Sequence, residues 1–317
     1  MPAPDLNGKL VTVLGGSGFV GSHIAQELLS RGARLRIASR HPERSHSLRP
    51  LANLGQMQFA HADITKPDSL RAVFNGAHGV INLVGAFDGN LDAVQGRGAG
   101  RMAKIAAESG VASLVHISAI GADEDSELDY QASKGMGEHA IHQEFPDATI
   151  LRPSIIFGED DDFINMFAGL ISSAPAMPVF APEAELQPVH VDDVAEAAVA
   201  ALADPGRHGG KIYELAGPDR LTMLELNRRI AKAQGRNRTF LPLPDFVGRA
   251  FAVATGWLPG APISRQQYDM LAQGNVASGK QPGFEELGVS PKPLGLFLDK
   301  WMTRYRRHGR FSAAKGL

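Results

Sequence analysis

Three glycines at three-residue spacing, Gly15, Gly18 and Gly21, interrupt the chain in the run GGSGFVG, and no other feature restricts the fold as much. The preceding residues, Leu10, Val11, Thr12, Val13 and Leu14, form a short apolar, β-branched run of the kind that makes a buried strand. After the run, Val20, Ile24 and Leu28, with Ala25 and Leu29, recur at helical spacing, and Gly32 stands where a helix C-cap is expected. The result is strand, tight turn, helix. In such a turn the first glycine permits the reversal, the second lets an anionic group approach the backbone, and the third lets helix and strand pack closely. The helix N-terminus then faces the anion with unpaired N–H groups.

This unit is the first of a series. Strands are expected at Leu35–Ser39, Met57–Ala60, Val80–Val84, Leu114–Ser118 and Thr149–Leu151, and helices around Ser69–Phe74, Leu91–Ser109 and Tyr130–Gln143. Strands alternating with amphipathic helices imply an α/β fold with a doubly wound parallel sheet, a dinucleotide-binding Rossmann arrangement. After Arg152 the rhythm breaks into Pro153, Gly158, the acidic run Glu159–Asp162 and a proline-rich stretch from Pro175 to Pro188. Late sheet elements return at Pro188–Val191, leading into a helix Val194–Leu202, and at Lys211–Leu215. The expected division is therefore residues 1–154 and 187–216 for the nucleotide-binding domain, and 155–186 and 217–317 for a smaller, discontinuous substrate or partner domain.

Composition removes several functions. The 317 residues include no cysteine, which excludes disulfides, thiolate metal sites and cysteine nucleophiles. A formal net charge of −2 gives no basic field for nucleic acid. His190, Asp192 and Asp193, like Glu159–Asp162, lack the spacing of a metal site, and the two aspartates are better read as helix caps; no metal is expected. No apolar run approaches the 18 or so residues of a membrane-spanning helix. The first strand begins so early that no targeting segment is expected ahead of it, which points to the cytoplasm.

At the end of the second strand, IASRHPER has no carboxylate before Glu43 to accept from a ribose 2′-hydroxyl. Ser39 and Arg40 stand there instead, a hydroxyl and a guanidinium suited to a 2′-phosphate, so NADP(H) is expected over NAD(H). Asp63, with Ile64 after it, is placed either to accept from the adenine amino group or to cap a helix. Farther on, Tyr130 and Lys134 in YQASK share one helix face, so a cation can stabilise a phenolate, and Ser118 ends the preceding strand.

GGSGFVG, Ser118 with YQASK, LRPSIIFG, and QPVHVDDVAEA followed by KIYELAGP resemble the extended short-chain dehydrogenase/reductase superfamily over residues 8–235. VHISAIGAD, FGEDDDFINMF and the ending WMTRYRRHGRF are similar to the branch containing the nucleotide-binding accessory subunit of respiratory complex I and its bacterial relatives, over nearly the whole chain. The resemblance implies a catalytic triad at Ser118, Tyr130 and Lys134, with Lys134 also holding the nicotinamide ribose. It implies cofactor contacts at Gly15, Ser17, Gly18, Phe19, Val20, Gly21, Ser39, Arg40, Asp63 and Ile64, at Leu83, Val84 and Gly85 after Asn82, and at Pro153 and Ile156 beside the nicotinamide. Gln95 stands where many members carry an asparagine, which argues against proton relay through that position.

Three functions follow: an NADP-dependent oxidoreductase, epimerase or dehydratase; a nucleotide-bound accessory or assembly factor of the respiratory chain that carries out no reaction; and an auxiliary protein of ubiquinone biosynthesis. The C-terminus adds a surface question. Lys300, Arg304, Arg306, Arg307, Arg310 and Lys315 interleave with Trp301, Tyr305 and Phe311, and no acid follows Asp299. Upstream lies an apolar stripe of Phe246, Val247, Ala250, Phe251, Ala254, Trp257 and Leu258. Together they fit docking on an anionic membrane, peripherally at its inner face, or on an acidic partner; equally, the stripe fits a core helix and the tail a solvated end.

Overall fold

The structure, a computed structural model, describes residues 5–255, 265–307 and 309. It divides into two compact units, Met1–Pro153 with Val191–Leu215 and Ser278–Ser290, and Ser154–His190 with Ala216–Ala277 and Pro291–Leu317.

The first unit is built on a seven-stranded sheet. Its strands are β1 (Leu10–Leu14), β2 (Arg34–Ser39), β3 (Met57–His61), β4 (Gly79–Asn82), β5 (Ser113–Ile117), β6 (Thr149–Pro153) and the strand Ile212–Leu215. The order across the sheet is β3-β2-β1-β4-β5-β6 and then Ile212–Leu215, with every pairing parallel. A parallel sheet is covered on both faces, which is why Val11, Val13, Leu35, Ile37, Val80 and Ile81 are all fully buried. Thr12 shares that core because its hydroxyl donates to the Val73 carbonyl at 2.7 Å. Parallel direction also brings the C-terminal ends of β1, β2, β4 and β5 to one edge, so Gly15, Arg40, Leu83 and Ser118 emerge side by side.

Helices α1 (Phe19–Ser30), α2 (Pro67–Phe74), α3 (Arg97–Glu108) and α4 (Asp129–Glu144) cross between these strands. Helix α1 buries Gly21, Ile24, Ala25 and Leu28, and each large aliphatic side chain so buried contributes roughly 1.5–3 kcal/mol. The helix Val191–Ala203 starts earlier than its apolar spacing indicates. Asp192 and Asp193 therefore lie in its first turn, where the helix dipole favours them, rather than at its cap. Strand β4 ends at Asn82, so Leu83 and Val84 belong to the following loop.

The continuous helix expected over Leu91–Ser109 opens instead with a π-helical segment, Asp92–Gly96, ahead of α3. A π turn inserts one residue without changing the apolar pattern on either side, so the spacing conceals it. Its effect is to press backbone against α4: a Cβ on Gly137 would lie 2.0 Å from the Gln95 carbonyl oxygen.

In the second unit, helices Phe163–Ser173 and Met223–Ala233 pack around Phe157, Ile164, Ile171, Leu226, Ile230 and Trp301. A capping box between Thr222 and Glu225 starts the second of these helices. Within the acidic run, Asp161 accepts from the backbone N–H groups of Gly158, Ile164 and Asn165. His190 stacks on Phe297 with ring centroids 3.7 Å apart. The Asn165 side-chain oxygen accepts from Trp301, Arg304 and Tyr305 at 3.0, 2.6 and 2.8 Å. Trp301 is buried and Tyr305 half-buried, so two of the three aromatic residues of the basic tail belong to the unit's own packing. Phe311, Arg310 and Lys315 lie outside the described residues, as do Trp257 and Leu258 of the apolar stripe; Phe246, Val247 and Phe251 are exposed. Among the described residues no helix is long and apolar enough to cross a membrane.

The contact at Gly137 yields a stability prediction. Gly137→Ala must push α4 away from the π segment, and overpacking of this kind costs about 1–3 kcal/mol, more than the helix propensity of alanine returns. Urea unfolding is expected to show a loss in that range; an unchanged or raised midpoint would mean that the two backbones are not in contact.

Candidate dinucleotide site

The glycine turn has the backbone its residues call for. Gly15 takes φ +77°, a left-handed conformation that disfavours any side chain. A Cβ on Gly21 would lie 2.6 Å from the Gly16 Cα, so α1 reaches the turn only because that atom is missing. A Cβ on Gly18 would meet just the Gly15 carbonyl, at 3.5 Å, with open space around it. Gly18 is also the N-cap of α1 and supplies no side-chain acceptor. The N–H groups of Phe19, Val20 and Gly21 open the helix beside Ser17, and the space at Gly18 fits the approach of a pyrophosphate.

At the end of β2 the Ser39 hydroxyl is buried and has no hydrogen-bond partner. Arg40 beside it is exposed. A buried hydroxyl left unsatisfied next to a guanidinium fits an absent acceptor such as a phosphate oxygen. Asp63 serves neither as helix cap nor as a free carboxylate: it accepts from the Thr65 N–H at 2.9 Å and the Thr65 hydroxyl at 2.7 Å. Partial burial opposes its charge, but the Thr65 hydrogen bonds outweigh this and hold the carboxyl below its usual range. Ile64 beside it is buried.

The loop after β4 is fastened at Leu83, Val84 and Ala86. Leu83 N–H donates to the Leu14 carbonyl at 2.9 Å, Val84 N–H to the Asn82 side-chain oxygen at 3.1 Å, and Ala86 N–H to the Gln95 side-chain oxygen at 3.1 Å. Gln95 also donates to the Ser133 hydroxyl at 2.8 Å, which ties this loop to α4. The fully buried Gln95 is therefore a strut, and spacing alone did not reveal it because its direction depends on the π turn. Asn82 shares a 3.0 Å hydrogen bond with His116 Nδ1. Burial, with Lys134 nearby, pushes the His116 imidazole well below its usual range, so the ring is neutral.

Lys134 and Tyr130 lie one turn apart on α4. Lys134 is 4% exposed and donates to the Ile117 carbonyl at 3.2 Å. A Cβ on Gly85 would lie 3.4 Å from its ammonium, so the cation sits against the loop after β4. Burial lowers the Lys134 ammonium to about 8, against an opposing pull from Glu138. The Tyr130 ring stacks on Phe87 with centroids 4.9 Å apart, and loss of solvent raises its phenol to about 12. The Ser118 hydroxyl donates to the Glu138 carboxylate, which Arg152 grips through Nη2 at 2.6 Å and Nε at 2.9 Å. Among the described residues no hydrogen bond joins Tyr130 to Ser118 or to Lys134 directly.

Pro153 ends β6, and its carbonyl accepts from Ile120 N–H at 3.0 Å. Ile156 belongs to the second unit, paired with Val189. A groove of about 710 Å³ beside the edge strand β3, lined by residues including His46, Arg49 and Phe59, contains none of the residues above.

A doubly wound sheet with a glycine turn at its first crossover, and a Tyr–Lys pair on the helix that follows its fifth strand, defines a dinucleotide-binding protein of the epimerase and reductase class. Residues 11–216 match the NAD dependent epimerase/dehydratase family, and the chain belongs to it. Over 315 residues it is 31% identical to the mouse (Mus musculus) NADH dehydrogenase [ubiquinone] 1 alpha subcomplex subunit 9, mitochondrial, covering 96% of this chain and 82% of the mouse protein. It is 29% identical to the ceramide reductase of Caulobacter vibrioides, over 77% of this chain and 76% of that protein. In fold it is similar to a Citrobacter triphenylmethane reductase solved with NADP(H), with a TM-score of 0.74 at 22% identity, covering 92% of this chain and 99% of that one.

The lowered Lys134 carries a stability consequence. Between about 8 and its ordinary 10.5 the unfolded chain holds a proton that the folded one has shed, so stability rises with pH across that window. Lys134→Met removes a penalty of about 3 kcal/mol at neutral pH and leaves the Ile117 carbonyl without its donor, a loss of about 1 kcal/mol. The ligand-free variant is therefore expected to be more stable by about 2 kcal/mol in urea unfolding at pH 7, without the rise above pH 8. A destabilised variant would contradict the burial of this cation.

Proposed function

We propose that the chain binds NADP(H) in preference to NAD(H) and is an oxidoreductase in which Tyr130 and Lys134, with Ser118 as third member of the triad, transfer a proton to or from a carbonyl or alcohol oxygen. The reading rests on the Lys134 ammonium lying against Gly85 with Tyr130 one turn earlier on the same helix. The turn from Gly15 to Gly21 holds the pyrophosphate, Ser39 and Arg40 the 2′-phosphate, and Asp63 and Ile64 the adenine end. Leu83, Val84 and Gly85 border the nicotinamide half, and Lys134 donates to its ribose. Pro153, at the end of β6, would run beside the nicotinamide.

The bound dinucleotide supplies the hydride acceptor or donor at C4 of its ring. The protein handles the proton. Its raised phenol keeps Tyr130 protonated at rest, which suits the reducing direction: Tyr130 Oη would give its proton to the substrate's carbonyl oxygen, and Lys134 would stabilise the phenolate left behind.

A second reading is favoured by the near full-length match to the respiratory NADH dehydrogenase subunit. In it the nucleotide stabilises the fold by ligand linkage, the chain docks on a respiratory-chain partner, and no turnover follows.

Calorimetric titration is expected to show tighter binding of NADPH than of NADH, and Arg40→Ala to remove that preference. A charge-assisted contact to phosphate contributes about 1.5–3 kcal/mol, so the loss should exceed tenfold. An unchanged preference in Arg40→Ala would refute the phosphate assignment. Tyr130→Phe is expected to keep NADPH affinity and abolish NADPH oxidation by a panel of carbonyl compounds. Retained turnover would remove Tyr130 from the mechanism, and a wild-type chain that holds NADPH unoxidised against the whole panel would favour the accessory reading.

A further inference from the structure

Glu138 lies four positions after Lys134 and eight after Tyr130, on the same face of α4. It is 4% exposed, and a buried carboxylate persists as a charge only when paired and hydrogen-bonded. One of its oxygens accepts from the Ser118 hydroxyl and from Arg152 Nε at 2.9 Å, the other from Arg152 Nη2 at 2.6 Å. Ser118 directly follows Ile117, whose carbonyl accepts from Lys134. The end of β5 is thus held to α4 at two successive residues, once by the lysine and once by the glutamate. The Ser118 N–H is held in turn by the Leu151 carbonyl at 2.7 Å, the residue before Arg152.

We infer that Glu138 is a positioning residue of the Tyr130–Lys134 pair: its carboxylate orients the Ser118 hydroxyl and sustains the charge on Lys134, with Arg152 as the counterweight that limits its field. This rests on the nucleotide site described above. The charge that acts on Lys134 is that of Glu138, one turn later on α4 as Tyr130 is one turn earlier; the neutral His116 on β5 feels Lys134, and Arg152 on β6 grips Glu138. Arg152 in addition feels Asp123 and Glu214. Of these, Glu138 is the group that opposes the desolvation of the ammonium. The neutral Glu138–Arg152 pair therefore leaves Lys134 on a balance that either partner's removal tips, in opposite directions.

The opposite signs separate this role from a structural one. A salt bridge that only supports the fold would loosen the site in the same way whichever partner is removed. Removing the carboxylate takes away the charge that sustains Lys134 and leaves the half-buried Arg152 unpaired, so Lys134 must shed its proton at lower pH. Removing the guanidinium leaves an unpaired carboxylate, so Lys134 keeps its proton to higher pH.

The test is NADPH affinity of the intact chain across pH 6 to 10, followed by the fluorescence of the bound nucleotide, for the wild type, Glu138→Gln and Arg152→Gln. Wild-type affinity is expected to fall as pH passes the Lys134 transition. Glu138→Gln should move that fall by about one pH unit toward acid and Arg152→Gln by a similar amount toward base. Circular dichroism checks that each variant is folded, and if one is not, the direction of the other decides. Unchanged transitions, or shifts in the same direction, would reduce Glu138 to a structural ion pair while leaving the nucleotide site intact. A wild-type chain that does not bind NADPH would overturn the nucleotide reading, and this inference with it.

Discussion

Helix α1 begins against the end of β1 because Gly21 has no side chain: any Cβ there would fall 2.6 Å from the Gly16 Cα. That approach sets the angle at which the first helix leaves the sheet, and with it the direction of the free N–H groups of its first turn. It also leaves the C-terminal edge of the sheet open at the point where strand order reverses, between β1 and β4. Ser39, Leu83 and Ser118 emerge at that same edge because every strand of the sheet runs parallel. The site is therefore a consequence of chain direction, and its individual side chains are refinements of it.

Much of this was legible in the residues, and what was not has physical causes. Strands β1 and β5 are buried along almost their whole length, so their positions are plain. The glycine turn was readable because each glycine answers a separate steric demand. The π segment at Asp92–Gly96 was hidden, since the inserted residue leaves the flanking periodicity intact, and with it went the role of Gln95 as a strut between Ala86 and Ser133. The spacing of Tyr130 and Lys134 was visible. The pairing of Glu138 with Arg152 was not, because their approach depends on how α4 lies over β6, which no local pattern encodes. Asp161 and His190 invite a ligand reading by residue type, and three backbone N–H groups and an aromatic stack account for them instead.

Electrostatics gives this region its tension. A lysine, a histidine and an ion pair are buried within one layer between β5, β6 and α4, where desolvation disfavours each charge. Such an arrangement is poor for stability. It lowers Lys134 to about 8 and keeps Tyr130 protonated, the state from which the proposed proton donation starts. The likeness to a respiratory-chain subunit and the likeness to a reductase both span most of this chain.

Native mass spectrometry of the purified intact chain, followed by release and identification of whatever it carries, tests the central claim directly. The account predicts one NADP(H) per chain, retained under native conditions and freed on denaturation. A chain that carries no nucleotide even after incubation with NADPH, or that retains NAD(H) alone when offered both, would contradict it.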